Sequence, residues 1–256
     1  MTKKSLGQHW LHDDASLEAM VAAGEVEAGD TVVEVGPGLG TLTKKLVQKA
    51  EHVIAIELDD VLAPSLKDKV AAENLMVVHE DVLKFDFTKI KSGYKIVANI
   101  PYYLTSNLIR TLLEGANPPS VMALLVQKEV AERIVAKPGQ MSILAVSVQF
   151  YAEVALSRVV PAALFTPPPK VDSQIIQIMR RERPLFEDVE TNLFFKIVRA
   201  GFSEKRKKLR SSLSGALAVS KELVDEWLEK SGIDSNARAQ ELRLQQWHDL
   251  TINAPF

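Results

Sequence analysis

The stretch "VANIPYYLT" (97–105) places an amide, a main-chain carbonyl and an aromatic ring in order at the end of an apolar run, as Asn99-Ile100-Pro101-Tyr102. A connection that only had to turn would use glycine, serine or aspartate. Pro101 removes a donor and biases Ile100 toward an extended backbone. The Asn99 side chain and the Ile100 carbonyl can then both act as outward acceptors, with Tyr102 offering a flat face beside them. That set suits a planar heterocycle carrying an exocyclic NH₂, its ring stacked and both amino hydrogens accepted. The lone pair of such an amine is conjugated into the ring and is a poor nucleophile. Two acceptors on its hydrogens favour the pyramidal form, whose lone pair can reach an electrophilic carbon. The chemistry then rests on positioning and electrostatic complementarity, without a metal or a strong base.

A second group precedes it. "TVVEVGPGLGTLT" runs a β-branched strand into Gly36, Gly38 and Gly40, and the next β-branched run ends at Glu57, 21 residues after Gly36. Glycines let backbone amides approach a ligand, and a carboxylate at that distance can take both ribose hydroxyls of an adenine nucleoside. Asp81 closes a third run, placed to accept from an adenine amino group. The dinucleotide fingerprint G-x-G-x-x-G is broken, because Thr41 holds its last position. An adenosine ligand without phosphates fits better, which points to S-adenosylmethionine. Its sulfonium methyl is the electrophile that the Asn99 group requires.

These residues need a scaffold that delivers strand ends to one edge. "TVVEVG" (31–36), "HVIAIEL" (52–58), "LMVVHED" (75–81), "KIVANI" (95–100) and "VMALLVQ" (121–127) read as buried parallel strands alternating with helical stretches, a doubly wound α/β sheet. "EVALSRVVP" (153–161) and "DSQIIQIMR" (172–180) have no helix between them and predict an antiparallel pair finishing that sheet. From Pro184 onward every apolar stripe is helical. The expected domains are therefore 1–183, α/β, and 184–256, all-α.

The chain has 256 residues with 31 lysines and arginines against 33 acids, and no cysteine. Disulfides, thiolate metal sites and a cysteine nucleophile are excluded. The five histidines show no ligand spacing and no serine partner, so no metal is assigned. No apolar run is long enough to span a membrane, and the N-terminal lysines have no apolar segment behind them. A cytoplasmic protein without membrane attachment is expected. Seven basic residues lie between Lys196 and Arg210 against Glu204 alone, and Lys205, Arg206, Lys207, Lys208 and Arg210 are predicted to contact nucleic-acid phosphates.

The motifs "VEVGPGLGTLT", "IELD", "HEDVL" and "NIPY", together with "GQHWL", "LVQKEVAERIVA", "FTPPPKVDS", "FSEKRKKLRSSL" and "RAQEL", resemble in order those of the ribosomal RNA adenine N6,N6-dimethyltransferases. "FTPPPKVDS" and the basic "FSEKRKKLR" resemble the small-subunit branch more than the large-subunit, antibiotic-resistance branch. The resemblance implies a Rossmann-like class I S-adenosylmethionine-dependent domain and a small helical rRNA-binding domain. It also implies dimethylation of two adjacent adenosines in the 3′-terminal hairpin loop of small-subunit rRNA, within an immature subunit. Cofactor contacts are implied at Gln8, His9, Leu11, Gly36, Gly38, Glu57, Asp81, Val82 and Asn99, and Phe165 is implied to pack on the target base opposite Tyr102. The chain departs from the pattern at His9, where the family has asparagine, and lacks the usual tyrosine-glycine pair before Ser142. The other readings are a large-subunit methylase and a ribosome-assembly factor with secondary or lost methylation. A monomer is expected.

Overall fold

A computed structural model describes residues 9–204 and 206–256, so Gln8 and Lys205 lie outside the described residues. The chain divides into two compact units. The first takes the chain up to Glu132 together with Glu153–Arg180, and the second takes Arg133–Ala152 with Arg181–Phe256.

In the first unit β1 (Trp10–Leu11) is followed by helix α1 (Asp14–Ala23), whose start is fixed by the Asp13 carboxylate accepting from Ser16 N at 2.8 Å. Strand β2 (Thr31–Val35), helix α2 (Thr43–Leu46), β3 (His52–Glu57), α3 (Leu62–Val70), β4 (Leu75–His79) and β5 (Lys95–Asn99) come next. They are followed by α4 (Thr105–Glu114), β6 (Val121–Gln127) and α5 (Lys128–Ile134). Strands β2, β3, β5 and β6 are covered on both faces, and Val32, Val33, Ile96, Val97 and Leu124 are wholly buried. Helix α4 buries one stripe, Leu108, Ile109, Leu112 and Leu113.

After helix α6 (Ile143–Tyr151) of the second unit the sheet is completed by β7 (Ala152–Val160) and, past the short β8 (Phe165–Thr166), by β9 (Ser173–Arg180). The seven-stranded order is β4-β3-β2-β5-β6-β9-β7. The pairs β2–β3, β2–β5, β3–β4 and β5–β6 are parallel, and β6–β9 is antiparallel from Val121↔Met179 to Gln127↔Ser173. This is the mixed sheet the sequence predicts. The order reverses between β2 and β5, and a crevice outside the carboxyl ends of strands at such a switch point is where open α/β sheets bind ligands. Antiparallel pairing brings Ser173, the first residue of β9, to that same edge. The ribbon of β1 with β8, Leu11 opposite Phe165, was not anticipated.

The second unit is built from α6, α7 (Thr191–Gly201), α8 (Leu209–Leu217), α9 (Lys221–Lys230) and α10 (Leu244–Ile252). Its core joins Phe194, Phe195, Leu213, Trp227, Trp247 and Leu250 to Val146 and Phe150. The rings of Phe150 and Phe194 sit 4.7 Å apart. Residues 133–152 therefore pack with the helical unit rather than with the α/β unit, which differs from the division at Pro184. The apolar face of "ILAVSVQF" is completed by aromatics of α7 that lie far away in sequence.

Candidate functional site

One cavity of about 310 Å³ opens at the carboxyl edge of the sheet. It is bordered by the ends of β2 (Val35, Gly36, Gly38), β3 (Ile56, Glu57, Leu58), β4 (Glu80 to Leu83) and β5 (Asn99 to Leu104), with His9 and Trp10 from the N-terminal ribbon. Gly36, Gly38, Glu57, Asp81, Val82, Asn99, Ile100, Pro101 and Tyr102 thus come together as the spacing suggested.

Each side chain is held by a specific local device. Glu57 is only 6% exposed, and its two oxygens accept from Gly38 N (3.1 Å) and Asp59 N (2.9 Å). The carboxylate therefore ties the glycine turn to the end of β3, and each oxygen keeps a second lone pair for a ligand hydroxyl. Gly38 has φ +57°, and a Cβ there would sit 3.2 Å from the Trp10 indole nitrogen, so a side chain would be both strained and crowded between turn and cavity. Gly40 does different work. Its missing Cβ would strike Leu66 at 2.8 Å, so it lets α3 pack against the turn and does not border the cavity. Asp81 accepts from Leu83 N through Oδ1 at 3.0 Å, which stiffens the β4 turn while leaving a second carboxylate oxygen.

Asn99 donates through Nδ2 to the His9 carbonyl at 3.1 Å. With the NH₂ end of the amide so engaged, the Oδ1 end is the acceptor left for a ligand, as the sequence reading requires. Pro101 starts a single 3₁₀ turn, Tyr102–Leu104, closed by Leu104 N to Pro101 O at 3.0 Å. The Tyr102 hydroxyl lies 2.8 Å from Ser173 Oγ on β9, and burial holds the phenol pKa above its ordinary value, so the hydroxyl stays neutral. The His9 ring stacks on Tyr102 with centroids 5.9 Å apart and planes 23° apart.

Two expected residues are elsewhere. Phe165 is 3% exposed and lies in the apolar cluster with Leu11, Val160 and Ile175, not on the cavity. Its pairing with Leu11 in the ribbon turns it into the core, and the ring against Tyr102 is that of His9. Leu11 is buried as well, and its carbonyl accepts from Thr41 Oγ1 at 3.2 Å. Trp10 and Tyr103 were not singled out as site residues. For Trp10 the signal was its place next to His9; for Tyr103 it was an aromatic adjacent to Tyr102.

Behind the glycine turn sits Glu34, 2% exposed, with Oε2 lacking a hydrogen-bond partner. Burial, opposed by Thr43 and reinforced by the Glu57 charge, pushes its pKa up to about 8. It is a neutral acid at pH 7.

The predicted basic cluster is partly spent on neighbours. Arg210 makes two bonds to the Asp225 carboxylate at 2.6 and 2.5 Å, Lys207 pairs with Glu204 at 2.5 Å, and Lys208 reaches the Asn236 amide oxygen at 2.5 Å. Arg206 is exposed.

The cavity suits S-adenosylmethionine. Its described lining has the three acids Glu57, Glu80 and Asp81 and no lysine or arginine, a field that favours a cationic sulfonium over a pyrophosphate. The narrow approach at Gly38 and the anchored Glu57 accommodate a nucleoside. Sheet order and site together define a class I S-adenosylmethionine-dependent methyltransferase.

The comparisons carry this further. Residues 1–254 match the family model described as ribosomal RNA adenine dimethylase, and the chain belongs to that family. It is 43% identical over 254 residues to a ribosomal RNA small subunit methyltransferase A of Dehalococcoides mccartyi, covering 98% of this chain and 87% of the relative. It is 39% identical to the protein of that name from Clostridium acetobutylicum, covering 97% and 92%. Among solved structures, a dimethyladenosine transferase from Plasmodium falciparum superposes with TM-score 0.81 at 26% identity, over 95% of this chain and 96% of the other. The 23S rRNA methyltransferase ErmE gives 0.76 at 28% identity, over 95% and 98%. The fold is therefore shared with a methyltransferase of 23S rRNA.

Proposed function

We propose that this protein transfers methyl groups from S-adenosylmethionine to the N6 amines of two adjacent adenosines in the 3′-terminal hairpin loop of small-subunit rRNA. It would act in the cytoplasm, as a monomer without membrane attachment, on an immature ribosomal subunit. The observation that carries the reading is the Asn99 amide, held by His9 so that its oxygen is the acceptor left at the carboxyl edge of β5. The choice of the small subunit rests on the names of the relatives at 39–43% identity.

The bound cofactor supplies an electrophilic methyl group. Glu57 would take the ribose hydroxyls and Asp81 the adenine amino group, and Ile56, Leu58 and Val82 would supply apolar contact to the ring. The target adenine leaves its stack and lies on Tyr102, at a cost of a few kcal/mol that an RNA loop lowers. Asn99 Oδ1 and the Ile100 carbonyl accept the two N6 hydrogens and aim the nitrogen lone pair along the transfer line. Once methylated, that nitrogen is acidic and loses its proton to water, so the neutral Tyr102 hydroxyl need only hold the ring in place through Ser173. Arg206, Lys207 and Lys208, with Lys205, contact rRNA phosphates from the helical unit.

The test is to incubate purified protein and S-adenosylmethionine with unmethylated small subunits and, separately, with unmethylated large subunits, and then to quantify N6,N6-dimethyladenosine in digested rRNA. Product in the small subunit alone is expected. Product in the large subunit alone, or in neither with the cofactor bound, would refute the proposal.

A further inference from the structure

Tyr103 is 65% exposed, yet it borders the same cavity as its half-buried neighbour Tyr102. Both lie in one 3₁₀ turn, where three residues per turn set successive side chains about 120° apart. The two rings therefore cannot cover the same base. Tyr102 is committed inward, its hydroxyl at Ser173 and its ring against His9. Tyr103 is committed to nothing among the described residues: no hydrogen bond engages its hydroxyl and no ring lies against it. An aromatic left uncovered on a site that also exposes Leu58 and has no lysine or arginine in its described lining can grip a partner by stacking but not by charge.

We infer that Tyr103 is the stacking platform for the nucleotide next to the adenosine being methylated. The inference rests on the function proposed above and adds a second base subsite to it. A flipped adenosine drags its neighbour to the cavity rim, and that neighbour has lost a stacking partner. Tyr103 replaces the partner with a π-face, which every base accepts. Where two adjacent adenosines are modified in turn, each one lies on Tyr103 while the other is on Tyr102. Recognition of the pair is thus divided between two consecutive tyrosines.

The experiment uses small subunits reconstituted with rRNA whose 3′ hairpin strand is synthetic and ligated. One version carries both adenosines, and the other has one of them replaced by an abasic nucleotide. KM, kcat and cofactor affinity are measured for the wild-type protein, Tyr103→Phe and Tyr103→Ala. On intact subunits Tyr103→Ala should raise KM about ten- to hundredfold with kcat nearly kept, and Tyr103→Phe should stay within about twofold. On abasic subunits the wild type should fall to the level of Tyr103→Ala, which should lose nothing more. A Tyr103→Ala enzyme equal to wild type on intact subunits would overturn the platform. So would a KM penalty undiminished on abasic subunits, or a defect confined to cofactor affinity. If wild type makes no dimethyladenosine on intact subunits, the parent function fails and the platform falls with it; an active wild type with an indifferent Tyr103→Ala removes the platform alone.

Discussion

The carboxyl edge of the sheet and the basic run of the helical unit were both conspicuous in the sequence, but the structure treats their side chains in opposite ways. At the sheet edge, backbone partners hold the functional groups and leave ligand-binding capacity over: Glu57 ties down two amides and keeps two lone pairs, and Asn99 spends its NH₂ on His9 and keeps its oxygen. In the helical unit, side-chain partners consume the charge. Arg210 is closed by a bidentate Asp225, and Lys207 is paired with Glu204. Strand ends fixed by a sheet define where a group points. A run of cations on flexible stems defines only that charge is present, and local acids then decide how much remains for a partner.

That contrast can be broken at several points, the largest effect coming first. Glu57→Ala should weaken S-adenosylmethionine binding by roughly 10²- to 10⁴-fold, the equivalent of two charge-assisted hydrogen bonds at about 1.5–3 kcal/mol each. Equilibrium titration with the cofactor checks this, and a change under threefold would mean that the anchored carboxylate is only structural.

Glu34 gives the next effect, on stability. Its folded pKa of about 8 lies above the unfolded carboxyl value of 4.5, so between those limits the folded state binds more protons than the unfolded state. Stability should therefore fall as pH rises from about 4.5 to 8, by on the order of a few kcal/mol. Glu34→Gln, neutral throughout, should flatten the decline in urea titrations at pH 5, 6.5 and 8. An equally steep decline in the variant would place the titration elsewhere.

In the basic run, the combined change of Arg206, Lys207 and Lys208 to Gln should lower small-subunit affinity and reduce the slope of log affinity against log salt by about 1 to 2, because Glu204 already pairs Lys207. Arg210→Gln should do least, leaving that slope unchanged because Asp225 already occupies its guanidinium. A slope that falls as much for Arg210 alone as for the other three would erase the distinction drawn here.

Much of the α/β unit was legible because its information is local. Valine-rich runs give buried strands, glycines give the turn, and each acid or amide at a strand end arrives at the shared edge once the sheet order is fixed. What could not be read depends on partners far away in sequence. Phe165 enters the core because it meets Leu11, some 150 residues earlier, and that same ribbon delivers His9 to Tyr102 and Trp10 to Gly38. Residues 133–152 join the helical unit because Phe150 finds Phe194. The burial of Glu34 was not drawn out, although an acid inside a strand read as covered on both faces already implies it.

The central claim is that the Asn99 amide acts on the target amine and not on the fold or the cofactor. It is tested most directly by single-turnover methylation of unmethylated small subunits with cofactor-saturated wild type and Asn99→Ala, with subunit and cofactor affinities measured in parallel. The account predicts a methyl-transfer rate at least about a hundredfold lower with subunit affinity retained, the scale of losing one preorganised transition-state contact. Transfer at the wild-type rate would contradict it.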